Sequence, residues 1–155
     1  MLKQLVRLNI EADGRYATDQ ELQFLEDYLQ SVDKRISSYK KIRDAEKEIM
    51  EQTKAQLDSE HPNLFSRGSQ DLSAIWRRDM DIVLRCSAAA MLLNDLDWLR
   101  ESVLLWQRTI VNANKTRQIS QLTYQVLLQI VKQFITEEEA ELMMPALQLD
   151  QSILS

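Results

Sequence analysis

The segment WRRDMDIVLRC, residues 76–86, carries three side chains whose types and spacing suit a charged organic ligand: Asp79, Arg78 and Arg85. At about 100° per residue, Leu72, Ile75, Asp79, Ile82, Val83, Cys86, Ala90 and Leu93 share one broad helical face. Asp79 falls near the middle of that apolar arc. A buried carboxylate is costly unless donors satisfy it, so something must reach it. Arg78 and Arg85 lie together beyond one edge of the arc, placed to hold acidic groups bidentately.

Two readings of this pattern stay open. In one, a buried Asp79 pairs with an arginine of a neighbouring helix. In the other, the carboxylate accepts ligand N–H bonds while the arginines take ligand carboxylates. An open-chain tetrapyrrole, with inner pyrrole N–H donors and propionates, offers that chemistry. Other constellations are scarce. The sequence contains no P-loop, HExxH, GxSxG or CxxC motif. One histidine, His61, and one cysteine, Cys86, cannot assemble a nucleophile–base pair or a three-ligand zinc site without unusual partners. Axial haem ligation by His61 is poor, since Pro62 sets it at a helix end. Glu137, Glu138 and Glu139 follow a capping threonine, where acidic side chains stabilise the helix dipole. Neither catalytic nor metal-ligating residues are expected.

The elements that position Asp79 follow from composition and punctuation. The 155 residues include 2 Gly and 2 Pro, far below the roughly 7% and 5% of average usage. Sheet architectures with frequent glycine turns are therefore excluded, and one all-α domain over residues 1–155 is expected. Thr18 with Glu21 forms a capping-box pattern, followed by Leu22, Leu25, Leu29 and Val32 at helical spacing. Ile36, Tyr39, Ile42, Ala45, Ile49 and Thr53 extend the stripe along a charge-rich helix ending before His61-Pro62. Residues 61–70 form the main loop, and a helix runs from about Asp71 to Leu93. Asn94-Asp95 breaks it. Leu96, Leu99, Val103, Trp106 and Ile110 make the next stripe, and the run NANKT a turn. Ile119, Leu122, Val126, Ile130 and Phe134 mark a further helix. Thr136 with Glu139 opens a short helix that Pro145 is expected to stop, leaving the last ten residues weakly specified. Six or more helices of unequal length without a sustained heptad point to a globin-like arrangement.

Charge narrows the partners. A net charge of −5 lacks the basic footprint of a nucleic-acid binder. No apolar run approaches the ~20 residues of a membrane span. The N-terminal MLKQLVRLNIEADGR lacks the pattern of a signal peptide, and a lone cysteine suits a cytoplasmic compartment.

WRRDMDIVLRC closely resembles the Cys-Leu-Arg-Asp-Met-Glu-Ile-Ile-Leu-Arg-Tyr signature of phycobiliprotein β subunits. Other matches keep the same order: GRYAT (14–18), Lys34-Arg35-Ile36, Glu60-His61-Pro62-Asn63-Leu64 and Leu99-Arg100-Glu101. The sequence thus resembles an allophycocyanin-like, divergent member of the phycobilisome protein family over residues 14–101. The resemblance implies the globin-like phycobiliprotein fold with a short N-terminal helical extension used for subunit pairing. It also implies membership of the cyanobacterial photosynthetic antenna, at the cytoplasmic face of the thylakoid. Asp79 matches the aspartate that binds inner pyrrole nitrogens of a bilin, and Arg78 the arginine at a propionate; Arg85 is a further candidate if a bilin binds.

Departures from the pattern matter equally. Trp76 stands where the bilin-attaching cysteine would be, and an indole cannot form the thioether. Cys86 replaces a family tyrosine and is expected to pack as a core thiol. Asp71 and Leu72 replace an arginine pair, and the preceding loop is short. Three functions are therefore expected to compete. The first is a structural or regulatory partner of antenna subunits, in a homo- or heterodimer, without covalent bilin. The second is a non-covalent carrier of a phycocyanobilin-like pigment for harvesting, quenching or pigment handling. The third is a globin-like sensor or stress protein outside the antenna.

Overall fold

The computed structural model describes residues 2–155. Helix α1 (Leu2–Glu11) leads through a turn at Gly14, whose φ of 72° suits a residue without a Cβ. The long helix α2 (Asp19–Glu60) then begins at the predicted capping box. Thr18 Oγ1 accepts the Glu21 N–H at 3.3 Å, and Glu21 Oε2 accepts the Thr18 N–H at 2.8 Å. Arg15 forks onto the same carboxylate. His61 ends the helix, its N–H donating to the Leu57 carbonyl.

A small antiparallel ribbon follows, β1 (Ser66–Arg67) with β2 (Gln70–Asp71) around Gly68. Asp71 Oδ1 then accepts the Ser73 N–H at 2.8 Å, starting helix α3 (Ser73–Leu93). Asn94 closes α3 in the left-handed region with φ of 50°. Helix α4 (Leu96–Leu99), a π segment (Arg100–Leu104) and helix α5 (Leu105–Asn114) run on without a break. Lys115, also left-handed, makes the predicted turn. Helices α6 (Arg117–Val131) and α7 (Glu137–Leu154) complete the fold. The arrangement is all-α and globin-like, with α2, α3, α6 and α7 enclosing the core.

That core draws Ile42, Ile49, Met50 and Leu57 from α2, Leu84 and Met91 from α3, Leu127 and Val131 from α6, and Met143 and Leu147 from α7. By contrast, α2 has no buried residue before Arg35. Arg35 itself is buried: it donates to Ser31 Oγ and to the Met91 carbonyl, while Tyr28 donates to the Leu92 carbonyl at 3.0 Å. The Arg35 and Tyr28 bonds to Met91 and Leu92 tie α2 to carbonyls in the last turn of α3.

Three expectations are corrected. Pro145 does not stop the last helix, which continues to Leu154. Pro145 lies on the exposed face, as does Glu141, whose carbonyl loses its helical donor to the ring and can meet water instead. Ala146, Leu147, Asp150 and Leu154 beyond it are all buried, so burial carries the helix through. The last ten residues are accordingly well specified.

The second correction concerns the α4–α5 stripe. A π turn holds one residue more than an α turn, so the buried series becomes Leu99, Leu104, Gln107 and Val111. Trp106, expected on the buried stripe, is 65% exposed. In α3, the third case, the buried ridge is Trp76, Met80, Val83, Leu84, Ser87, Ala88, Ala90 and Met91. It is turned by about 100° from the predicted arc, which leaves Ile75 and Ile82 exposed and Asp79 at the edge.

Candidate functional site

A cleft of about 110 Å³ opens between α3, α5 and α6. Its walls are mainly apolar, with Ile75, Met80, Val83, Val111 and Ile119 among them, and Trp76 and Tyr124 supply aromatic surface. The local sequence accounts for each placement. Asp71 starts α3, whose packed face carries Trp76 inward and sets Asp79 at the cleft wall. The π turn brings Gln107 inward from the opposite side. Arg67 of the ribbon lines the rim and donates to the Asn114 carbonyl at 2.9 Å, joining the ribbon to the end of α5.

Trp76 is held from two sides. Its Nε1–H donates to Thr123 Oγ1 at 3.0 Å, and Thr123 passes its own proton to the Ile119 carbonyl at 2.7 Å. Phe65 meets the indole tilted by 52°, ring centres 5.1 Å apart, a favourable aromatic geometry. Trp76 is a fixed wall with its polar atom satisfied.

Of the predicted site residues, Asp79 lines the cleft with its side chain 18% exposed. Its partner is Arg78, the preceding residue of the same helix, whose Nε and Nη2 lie 3.0 and 2.8 Å from Asp79 Oδ1. The expected partner on a neighbouring helix is not what satisfies it. Arg78 is itself largely exposed. Arg85 stands apart from this pair: its fork grips Glu46 of α2 at 2.8 and 2.6 Å. That bond raises the Arg85 guanidinium and lowers the Glu46 carboxyl from their ordinary values. Cys86 is half-buried against the core, and burial followed by the nearby Asp150 raises its thiol.

The sequence reading missed a polar group behind the cleft. Asp150 and Ser87 are fully buried and joined at 2.6 Å, and the Tyr124 hydroxyl is buried without a partner. The signal existed, since Met143, Leu147, Asp150 and Leu154 recur at helical spacing. Ending the helix at Pro145 concealed it. Among the described residues no group of His, Cys, Asp or Glu could hold a metal ion, and no helix is long and apolar enough to cross a membrane.

Comparison with known proteins adds a family. The family model described as phycobilisome protein matches residues 6–152. The allophycocyanin alpha-B chain of Cyanidium caldarium is 33% identical over 110 residues, 67% of this chain and 68% of that one. The chain of the same name from Cyanophora paradoxa is 30% identical over 112 residues, 70% of this chain and 69% of its own. That of Pyropia yezoensis is 30% identical over 110 residues, 68% of each.

Proposed function

The chain belongs to the phycobilisome protein family, and from that premise we propose that it is a structural or regulatory partner of antenna subunits carrying no covalent bilin. The observation that supports this most is Trp76, which forms a fixed wall of the cleft. An indole stands where attachment needs a thiol, and it is pinned by Thr123 and Phe65. About 150 Å³ accommodates one benzene ring, so a cleft of about 110 Å³ does not enclose a four-ring bilin. The residues present do not fit an enclosed chromophore.

What remains is a surface for association. Ile10 of α1 and Leu29 of α2 are 68% and 58% exposed, and Val6 and Tyr16 are exposed near them in sequence. Exposed apolar side chains on α1 and the first part of α2 would suit contact with another phycobiliprotein-like subunit in a homo- or heterodimer. Such a protein acts by association rather than catalysis, at the cytoplasmic face of the thylakoid membrane where the antenna sits. Family membership favours the antenna over a sensor or stress role outside it.

A second reading draws on Asp79 and Arg78. Their pair at the cleft wall would suit the pyrrole N–H groups and a propionate of a non-covalent bilin seated on the open mouth. Arg85, committed to Glu46, would join only by giving up that bond.

Two preparations test the proposal. Tagged protein from a bilin-producing heterologous host is expected to be colourless across the visible range. Tagged protein from a phycobilisome-containing cell is expected to bring down antenna subunits. A stoichiometric red-absorbing band in the first preparation overturns the non-pigmented role, and its release on denaturation supports the second reading. Absence of antenna subunits from the second preparation overturns the partner role.

A further inference from the structure

Ser87 Oγ has two oxygen neighbours in the core: the Val83 carbonyl at 2.9 Å and Asp150 Oδ2 at 2.6 Å. A hydroxyl carries one proton and cannot donate to both. The carbonyl only accepts, so both contacts become hydrogen bonds when the carboxyl is the donor. The chain then runs Asp150 O–H to Ser87 Oγ, and Ser87 O–H to the Val83 carbonyl. An ionised Asp150 would instead compete with Val83 for the single Ser87 proton.

The surroundings favour the neutral acid. Asp150 is fully buried, and its other oxygen, Oδ1, has no hydrogen-bond partner. From α3 it is faced by Ser87 and the Cys86 thiol, and from α6 by the Tyr124 hydroxyl. No cation among the described residues acts on it. The lysines that α2 turns toward α7, Lys34 and Lys41, pair with Glu138 and Glu139 in its first turn. That turn lies roughly 16 Å along the helix from Asp150, at about 1.5 Å per residue.

We propose that Asp150 and Ser87 form a proton-dependent latch between α7 and α3, closed while the carboxyl holds its proton and weakened when it ionises. Burial pushes the Asp150 carboxyl up to about 8 against the opposing Ser87 bond, so at the alkaline end of the ordinary range ionisation leaves a charge in the core with Oδ1 unpartnered, which weakens the packing of α7 on α3. It sits directly behind the cleft, whose lining includes Val83, Tyr124 and Leu154. Opening would loosen the end of α7 and that wall together, whatever the cleft or the outer surface binds.

The direction of the pH dependence follows from proton counting. Between the unfolded carboxylate range and about pH 8 the folded chain binds one more proton than the unfolded chain, so folding weakens as pH rises. Equilibrium unfolding of the full chain and of Asp150→Asn, whose amide supplies a donor to Ser87 without titrating, reads this directly. The folded-to-unfolded ratio of the wild type is expected to fall about tenfold between about pH 6 and about pH 7, and about fivefold over the next unit, relative to the variant. Carbon-13 NMR of the Asp150 carboxyl in the native protein is expected to show it protonated at neutral pH. An Asp150 signal titrating in the ordinary carboxylate range, or parallel pH profiles for the two proteins, overturns the latch. If the variant does not fold, the NMR titration of the wild type decides alone.

Discussion

Trp76 Nε1 and Thr123 Oγ1 meet at 3.0 Å across the interface of α3 and α6. This bond makes a buried indole a structural part of the wall, in a family position where the sequence resemblance calls for an anchoring cysteine. The threonine relays the bond to the Ile119 carbonyl, so each polar atom in the series has a partner.

Removing either partner has an asymmetric consequence. Thr123→Val leaves the indole N–H buried and unpaired, and is expected to cost about 1–3 kcal/mol. Trp76→Phe leaves Thr123 still bonded to Ile119 and loses one net hydrogen bond, about 1 kcal/mol, plus indole packing. The double variant is expected to be less destabilised than the sum of the singles, because neighbours sharing a bond couple. Urea unfolding of all four proteins measures the coupling, and strict additivity would show that the bond contributes nothing.

Asp79→Ala separates ligand chemistry from folding. The carboxylate is bonded to a largely exposed arginine on its own helix, so the substitution is expected to change unfolding free energy by less than about 1 kcal/mol. If incubation with a bilin gives the wild type a visible band, Asp79→Ala is expected to abolish it or shift it to the blue. A band that persists unchanged would remove Asp79 from the binding site.

The acid limb of stability is expected to run opposite to the Asp150 limb. Burial pushes the Glu139 carboxyl up, but hydrogen bonds from Lys41, Ser37 and the Thr136 N–H outweigh it and hold the group at about 2. A carboxyl lowered on folding contributes stability above its ordinary value of 4.5, and that contribution is lost as pH falls toward 2. Glu139→Gln is expected to be less stable than the wild type near neutrality and to show a shallower loss between about pH 4.5 and about pH 2. Glu21, also lowered to about 2 chiefly by its Arg15 hydrogen bond, is more open to solvent. Screening makes its share of the same limb smaller. Thermal unfolding across that range, with identical slopes for Glu139→Gln and wild type, would reassign the limb.

The sequence alone determined the helical class, both capping boxes, the stops at His61 and Asn94, and the turn at Lys115. It also singled out Asp79 and Arg78, which line or flank the cleft, and Trp76 as the residue incompatible with a thioether. These are local properties: a threonine three residues before a glutamate satisfies the same N–H groups in any fold, and a scarcity of glycine argues against sandwiches, barrels and doubly wound sheets before any packing is known. The structure alone decided what depends on the partner surface. Helical phase in α3 was legible only to about 100°, because Ile75, Trp76, Ile82 and Val83 offer two adjacent apolar stripes and packing chose the one with Trp76. A π turn moved Trp106 outward and Gln107 inward, through one extra residue that no single side chain announces. Pro145 was overruled because its ring and the freed Glu141 carbonyl face solvent, while four residues beyond it are buried. Arg85 found Glu46, and Asp150 found Ser87, across 39 and 63 positions of the chain. Such pairings follow from which helices touch, and a periodic pattern along one helix carries no record of its neighbour.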